Sequence, residues 1–311
     1  MIIAVASGKG GTGKTTVATS LVLAITTDGQ NQADRAEYVN VANCHPESGE
    51  GPLFLDCDVE EPNAALFLNP QLDQRQEVGI LIPEVDYERC TFCGRCAEVC
   101  VWHAIAVVGR KVLIFAELCH GCGSCTLNCP EAAIHEVLHV MGNLESGRAG
   151  PIAFGHGILN VGEAMAVPII RQLKAKHMAN AGHSATILDA SPGTSCPVVE
   201  TMRGADFVLL VTEPTPFGLH DLRLTVQVAR DELGLPVGVV INRDGVGDAG
   251  VDEYCAAEGI PILMRIPLDR RIAEAISGGE ALVEALPEYR PRFLKLYEQI
   301  IGELASRKEA R

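Results

Sequence analysis

The 311-residue chain has no run of eighteen apolar residues, and no basic stretch precedes an apolar run at its N-terminus. A membrane span and a secretory signal are therefore not expected, membrane association is not either, and the reading is a cytoplasmic protein. Positive charge is scarce, with 25 Lys plus Arg against 40 Asp plus Glu and a net charge of -15. That deficit excludes phosphate-backbone binding as the main activity, so no nucleic-acid partner is expected. Length is not lacking: 311 residues, 47% of them apolar, suffice for about two domains with a large core and no need of disulfides.

Cysteine is the residue in excess. Eight of the twelve fall between positions 90 and 129, as Cys90-x2-Cys93-x2-Cys96-x3-Cys100 and Cys119-x2-Cys122-x2-Cys125-x3-Cys129-Pro130. The second run repeats the first after 29 residues, and both continue alike, to Ala104-Ile105 and Ala133-Ile134. Three thiolates on tight turns cup the corner of a cubane, and in the bacterial ferredoxin pattern the fourth Cys of each run ligates the other cluster. Cys90, Cys93, Cys96 and Cys129 are thus expected to hold one [4Fe-4S] centre, and Cys119, Cys122, Cys125 and Cys100 the second. Structural zinc would be satisfied by Cys pairs and leaves the complete triplets unexplained, and disulfides do not suit a chain without an export signal. Between Glu84 and Val140 seven acids outnumber four bases, which suits a redox partner with a basic docking patch.

At the N-terminus an apolar run, Met1 to Ala6, meets Ser7-Gly8-Lys9-Gly10-Gly11-Thr12-Gly13-Lys14-Thr15-Thr16, and a helix-forming segment follows. Strand, glycine-rich loop and helix are the context a phosphate-binding loop requires. The glycines let backbone N–H groups approach the phosphates, Lys14 should reach the terminal phosphates and Thr15 should ligate Mg2+. Two further apolar strands end in acids, at Asp56-Cys57-Asp58 and at Asp189 before Pro192-Gly193. Acids at the carboxyl ends of parallel strands lie where open α/β sheets bind ligands. Asp189 is expected to hold a water on Mg2+, and Asp58 to orient the attacking water.

The stretch Gly8-Lys9-Gly10-Gly11-Thr12-Gly13-Lys14-Thr15-Thr16 resembles the deviant Walker A motif of the MinD/Mrp/ParA superfamily, to which the nitrogenase iron protein also belongs. Asp56-Cys57-Asp58 with Glu61-Pro62-Asn63 is similar to that superfamily's switch I segment. Thr212-Glu213-Pro214 and Val239 to Arg243 also look like the family, Asn242 standing where an adenine-reading Asn is expected. The resemblance spans nearly the whole chain and implies a P-loop ATPase carrying an inserted ferredoxin domain. It also implies an ATP-dependent dimer, either of two copies or with a related ATPase, in which Lys9 reaches the nucleotide of the opposite subunit. Lys9, Lys14 and Asp58 are then the catalytic candidates.

Three features depart from the family. Residues 28–52 are long, polar and acidic, and read as a surface excursion. The C-terminal Cys-x-x-Cys by which Mrp-type scaffolds bridge a cluster is missing. The apolar stripe Phe293, Leu294, Leu296, Tyr297, Ile300, Ile301 and Leu304 suits core packing better than a MinD-type membrane helix. Cys57 and Cys196 lie beside nucleotide switches, where a cluster shared across a dimer is conceivable, although an isolated cysteine is more often a small apolar filler.

The expected fold is α/β: a P-loop NTPase with a mostly parallel sheet covered by helices, interrupted by a small α+β ferredoxin unit. Residues 1–83 and 141–311 should form a discontinuous ATPase domain, with 84–140 inserted. Helical patterns occur near 162–173, with a kink at Pro168, and over 219–233. Three functions compete. The first couples ATP-driven closure of a dimer to electron transfer through two [4Fe-4S] clusters. The second is an iron–sulfur assembly or carrier ATPase, which the missing Cys-x-x-Cys opposes. The third is a redox-sensing positioning or recruitment switch.

Overall fold

The computed structural model describes residues 1–26, 51–179 and 182–309. The acidic stretch 28–52 lies outside the described residues except for its last two. Ile2–Ala6 (β1) is buried, its Ile3 and Val5 entering one core layer and Ala4 and Ala6 the other. That alternation is what a strand covered on both faces needs. Lys14–Ile25 (α1) follows the glycine loop, and Leu53–Asp56 (β2) and the short Ala65–Leu68 (α2) lead into a 15-residue strand, Gln71–Val85 (β3). The cysteine-rich segment comes next, with Arg95–Glu98 (α3), the hairpin Ile105–Val108 (β4) and Lys111–Ile114 (β5), and Ser124–Leu127 (α4). The chain returns through Ile134–Ala149 (β6), Ile152–Leu159 (β7), Val167–Met178 (α5) and Thr186–Asp189 (β8). It then alternates through Cys196–Met202 (α6), Phe207–Thr212 (β9), Pro216–Val226 (α7), Val237–Asp244 (β10), Gly250–Glu258 (α8) and Ile262–Pro267 (β11). Arg270–Ser277 (α9), Leu282–Ala285 (α10) and Arg290–Glu309 (α11) close it.

Among the described residues the main sheet runs β11-β10-β9-β1-β8-β2-β7-β6-β3. From β11 to β7 every pairing is parallel, and β6 and β3 add an antiparallel edge. Helices α5 to α8 cover one face, and α1 with α9 to α11 the other. Phe293, Leu296 and Ile300 of α11 are wholly buried in the second layer, so the C-terminal stripe packs on the sheet. No helix among the described residues is long and apolar enough to cross a membrane.

Strand β6 pairs with β7 from Gly142 to Ala149, and with β3 alone from Ile134 to Val140. There β3 and β6 continue past the sheet as a two-stranded arm, and the cysteine-rich unit joins their far ends. The 29-residue repeat is also a repeat of backbone. Positive φ recurs at Phe92 and Gly121 (58° and 62°), at Gly94 and Gly123 (83° and 72°), and at His103 and Ala132 (52° and 46°). Gly94 and Gly123 each start one of the two short helices.

One sequence expectation is corrected. Pro168 does not kink a helix: it stands in the first turn of α5, where its missing N–H has no intrahelical acceptor to lose. The helical pattern expected over 219–233 is present, α7 running on from Gln227 through Glu232 as a wider π-helical turn.

Candidate functional site

The phosphate-loop residues Gly8 to Gly13 leave β1 and enter α1 through Gly13, whose φ is 90°. A Cβ on Gly13 would stand 2.3 Å from Asn242 Nδ2, and one on Gly8 would meet the backbone of Asp221 at 2.5 Å. The loop is thus clasped between β10 and α7, and glycine is required at both points. Gly10 and Gly11 are exposed, Thr12 is buried with an unpartnered hydroxyl, and Thr15 and Thr16 lie in the first turn of α1. Asn242 Nδ2 donates to the Thr12 carbonyl at 2.7 Å, which places the expected adenine reader against the loop.

Adjacency of β1, β8 and β2 collects the charged groups, with Val5 level with Asp189 and Asp189 level with Asp56. Lys14 Nζ lies 2.7 Å from Asp189 Oδ1, both nearly inaccessible to water. Burial disfavours the Lys14 charge, but Asp189, Asp58 and Asp56 together outweigh it and the pKa is raised. Burial, then repulsion from Asp189, lifts Asp56 to about 7 against the pull of Lys14 and of the Ala64 and Asp58 N–H groups. Burial likewise lifts Asp58 to about 6. Asp189 Oδ2 is buried without a hydrogen-bond partner. Among the described residues no three acids are grouped as metal ligands; the unpaired Asp189 oxygen is a hard donor here that suits a divalent cation such as Mg2+.

Lys9 lies outside this knot. Its Nζ is 3.1 Å from Glu213 Oε2, and the other Glu213 oxygen accepts from Arg243 at 2.5 Å. Glu213 and Arg243 belong to the two family-like segments Thr212-Glu213-Pro214 and Val239 to Arg243, but no role attaches to either in the sequence, and nothing there reveals which cation each acid meets. Cys57 is fully buried, and burial pushes its thiol up to about 12, so in this structure it fills the core. Cys196 is exposed.

The eight clustered cysteines line two small cavities. Cys90, Cys93, Cys96 and Cys129 face the first, and Cys100, Cys119, Cys122 and Cys125 the second. Backbone N–H groups point at the sulfurs: Ala104 N lies 3.3 Å from Cys100 Sγ and Ala133 N 3.2 Å from Cys129 Sγ. The Ser124 backbone and hydroxyl lower the Cys122 pKa, while burial raises those of Cys96, Cys119 and Cys125. Four thiols facing one cavity, with amides aimed at sulfur, fit an iron–sulfur cluster in each. The two cavities differ in position. Val85 at the end of the arm lines the first, whereas Leu81 and Pro83, nearer the sheet, line the second.

Comparison with known proteins agrees with both halves. Residues 82–130 match the family model of a 4Fe-4S dicluster domain. The uncharacterized protein MJ0579 of Methanocaldococcus jannaschii is 30% identical over 290 residues, which cover 91% of this chain and 92% of that protein. The fold is similar to that of the septum site-determining protein MinD from Pyrococcus horikoshii, solved in complex with Mg-ADP, with a TM-score of 0.52 and 19% identity over 96% of this chain and 95% of that one. It is also similar to the cell division ATPase MinD of Pyrococcus furiosus, with a TM-score of 0.52 and 22% identity over 97% and 98%.

Proposed function

Because this chain belongs to the family of MJ0579 and has a MinD/ParA-like P-loop ATPase fold carrying a 4Fe-4S dicluster domain, we propose that it hydrolyses ATP and couples nucleotide-driven closure of a dimer to electron transfer. In this reading residues 84–140 are the electron-transfer unit, and 1–83 with 141–311 the ATPase. One observation carries it: the segment after Asp56 is tied directly to β3 and, by way of β7, to β6, the two strands of the arm that bears the cysteines. Ahead of β3 it is covalently continuous through α2, and on the return side the Val59 carbonyl accepts at 2.8 Å from Leu159 N, at the end of β7, which pairs with Gly142 of β6. Gln172 of α5 braces the arm by donating to the Gly79 carbonyl at 2.8 Å. A shift of that segment on sensing a γ-phosphate therefore has a short path to the insertion.

The residues divide the work. Gly8, Gly10, Gly11, Thr12 and Gly13 present the loop amides to the phosphates of ATP, and Thr16 follows them in the first turn. Lys14 exchanges its ion pair with Asp189 for the terminal phosphates, which frees Asp189 to hold a water on the Mg2+ of the nucleotide while Thr15 ligates that ion. Asp58 orients the attacking water, Lys9 leaves Glu213 to reach the nucleotide of the opposite subunit, and Asn242 turns from Thr12 to the adenine. Cys90, Cys93, Cys96 and Cys129 hold one [4Fe-4S] cluster, and Cys119, Cys122, Cys125 and Cys100 the other. Bound there, such clusters supply one-electron carriers.

The test is ATP turnover by anaerobically purified protein with its clusters oxidised and then reduced, together with cluster potentials measured with and without ATP. Coupling predicts a change in at least one. Constancy of both would leave two independent modules, and transfer of iron to an apo-acceptor would favour the carrier reading.

A further inference from the structure

The two cavities differ in what surrounds them. Around the second, Trp102 stacks on His120 with ring centroids 3.6 Å apart, and both rings line the cavity. Leu81 lines it as well and stands directly across the arm from Leu138. Leu81, Trp102 and Leu138, and Val101 and Leu118 as the chain neighbours of Trp102 and Cys119, are each at least 46% exposed. A patch of large exposed apolar side chains on a small unit marks a contact surface.

The bases are distributed just as unevenly, whereas an acid lines each cavity, Glu131 the first and Glu136 the second. Of the four bases in the insertion, Arg95 lines the first cavity and Arg110 lies over Phe92, which lines it too. Arg89 and Lys111 adjoin Cys90 and Val112, again of the first cavity. Glu136 lines the second, and the exposed Glu117 adjoins Leu118. The apolar patch therefore has acids at its rim, and all the bases belong with the other cavity. A second copy of this acidic chain, of net charge -15, would be repelled there.

We propose that the Trp102 face docks a basic, one-electron redox protein, so that electrons pass between this chain and its partner beside the second cavity. This rests on the redox reading given above. One electron leaves the reduced insertion and reduces the oxidised centre of the partner, and no bond or proton moves. Trp102 with Leu81 and Leu138 supplies the desolvated centre of the contact, and Glu117 and Glu136 steer the approach.

The experiment uses the full chain with both clusters loaded, iron content and cluster spectra being checked for every variant. The reduced protein is mixed in stopped flow with cytochrome c, a basic haem protein serving as probe, and separately with a small neutral quinone. Glu117→Lys and Leu138→Lys, on separate elements of the patch, are each expected to slow cytochrome c reduction about tenfold and to leave the quinone rate unchanged. Glu88→Lys, beside the first cavity, should change the cytochrome c rate less than twofold. Added salt should slow the parent with cytochrome c alone. Equal responses from the two sides, or none, would overturn the docking face while leaving the redox reading intact. Failure of the loaded parent to reduce either acceptor would overturn both.

Discussion

At the phosphate loop, the groups proposed to meet the nucleotide are held in place by the fold itself. Lys14 is locked to Asp189, Asn242 clasps the loop, and the strands bearing them are backed by core on both faces. In the insertion the buried apolar cluster consists of Ile105, Val112, Cys125 and Ile134, and Cys90, Cys96, Cys100 and Cys129 pack against it. One site is a by-product of a stable sheet, whereas the other takes much of its interior from its own ligands. With so small a core, metal held in the insertion is expected to contribute folding free energy there and not to the sheet.

Iron removal should separate the regions most. With iron chelated, amides of β4, β5 and α4 are expected to lose hydrogen-exchange protection by about three orders of magnitude, and those of β8 and β9 to keep theirs. Retained protection in β4 and β5 would mean that the insertion folds without metal, and the contrast would fail. Lys14→Ala addresses the other side. It removes the phosphate contact and strands Asp189 in the interior, so ATP turnover should fall at least about 100-fold and stability by about 3 kcal/mol, while iron content stays unchanged. Loss of iron from this variant would show that the two regions fold as one.

A glycine pair sharpens the contrast. Gly13 and Gly94 have φ of 90° and 83°, yet an added Cβ meets Asn242 at the first and nothing within 4 Å at the second. Both alanine variants should lose about 1–2 kcal/mol from the left-handed backbone. Nucleotide affinity should fall, about tenfold, in Gly13→Ala alone, and equal nucleotide binding by the two would remove the clasp assigned to Asn242.

What was legible in the sequence follows the range of the interactions. The glycine loop between β1 and α1 and the paired cysteine runs are local patterns, and they could be read from spacing. The arm could not. Residues 71–77 of β3 are exposed and include three glutamines and three charged residues, so no apolar alternation marks a strand. It is a strand because β6, more than fifty residues away, pairs with it. Glu213 was hidden for the same reason, since its partners Lys9 and Arg243 belong to other strand ends and charge alone does not reveal who meets whom. At Pro168 a helix boundary was mistaken for a helix interior, an error of a few residues that reverses the consequence of a proline.

The smallest expected effect is one of pH, and it belongs to the nucleotide site alone. Asp58 has an ordinary pKa of 3.8 and is raised by burial to about 6 in the folded chain, and Asp56 similarly to about 7. A carboxyl whose folded pKa is raised binds its proton more tightly in the native state, so its contribution to stability is complete below 3.8 and is lost as pH rises through the folded value. In protein free of nucleotide and divalent cation, the ATPase unit should therefore lose stability relative to Asp58→Asn as pH rises from about 4 to about 6. Asparagine stays neutral in both states. Thermal unfolding should find the two proteins alike near pH 4 and the variant the more stable at pH 7.5, with Mg2+ and ATP narrowing the gap by stabilising the ionised parent. A constant difference across that range would mean that Asp58 is ionised throughout and that the crowding of acids around Lys14 carries no energetic cost.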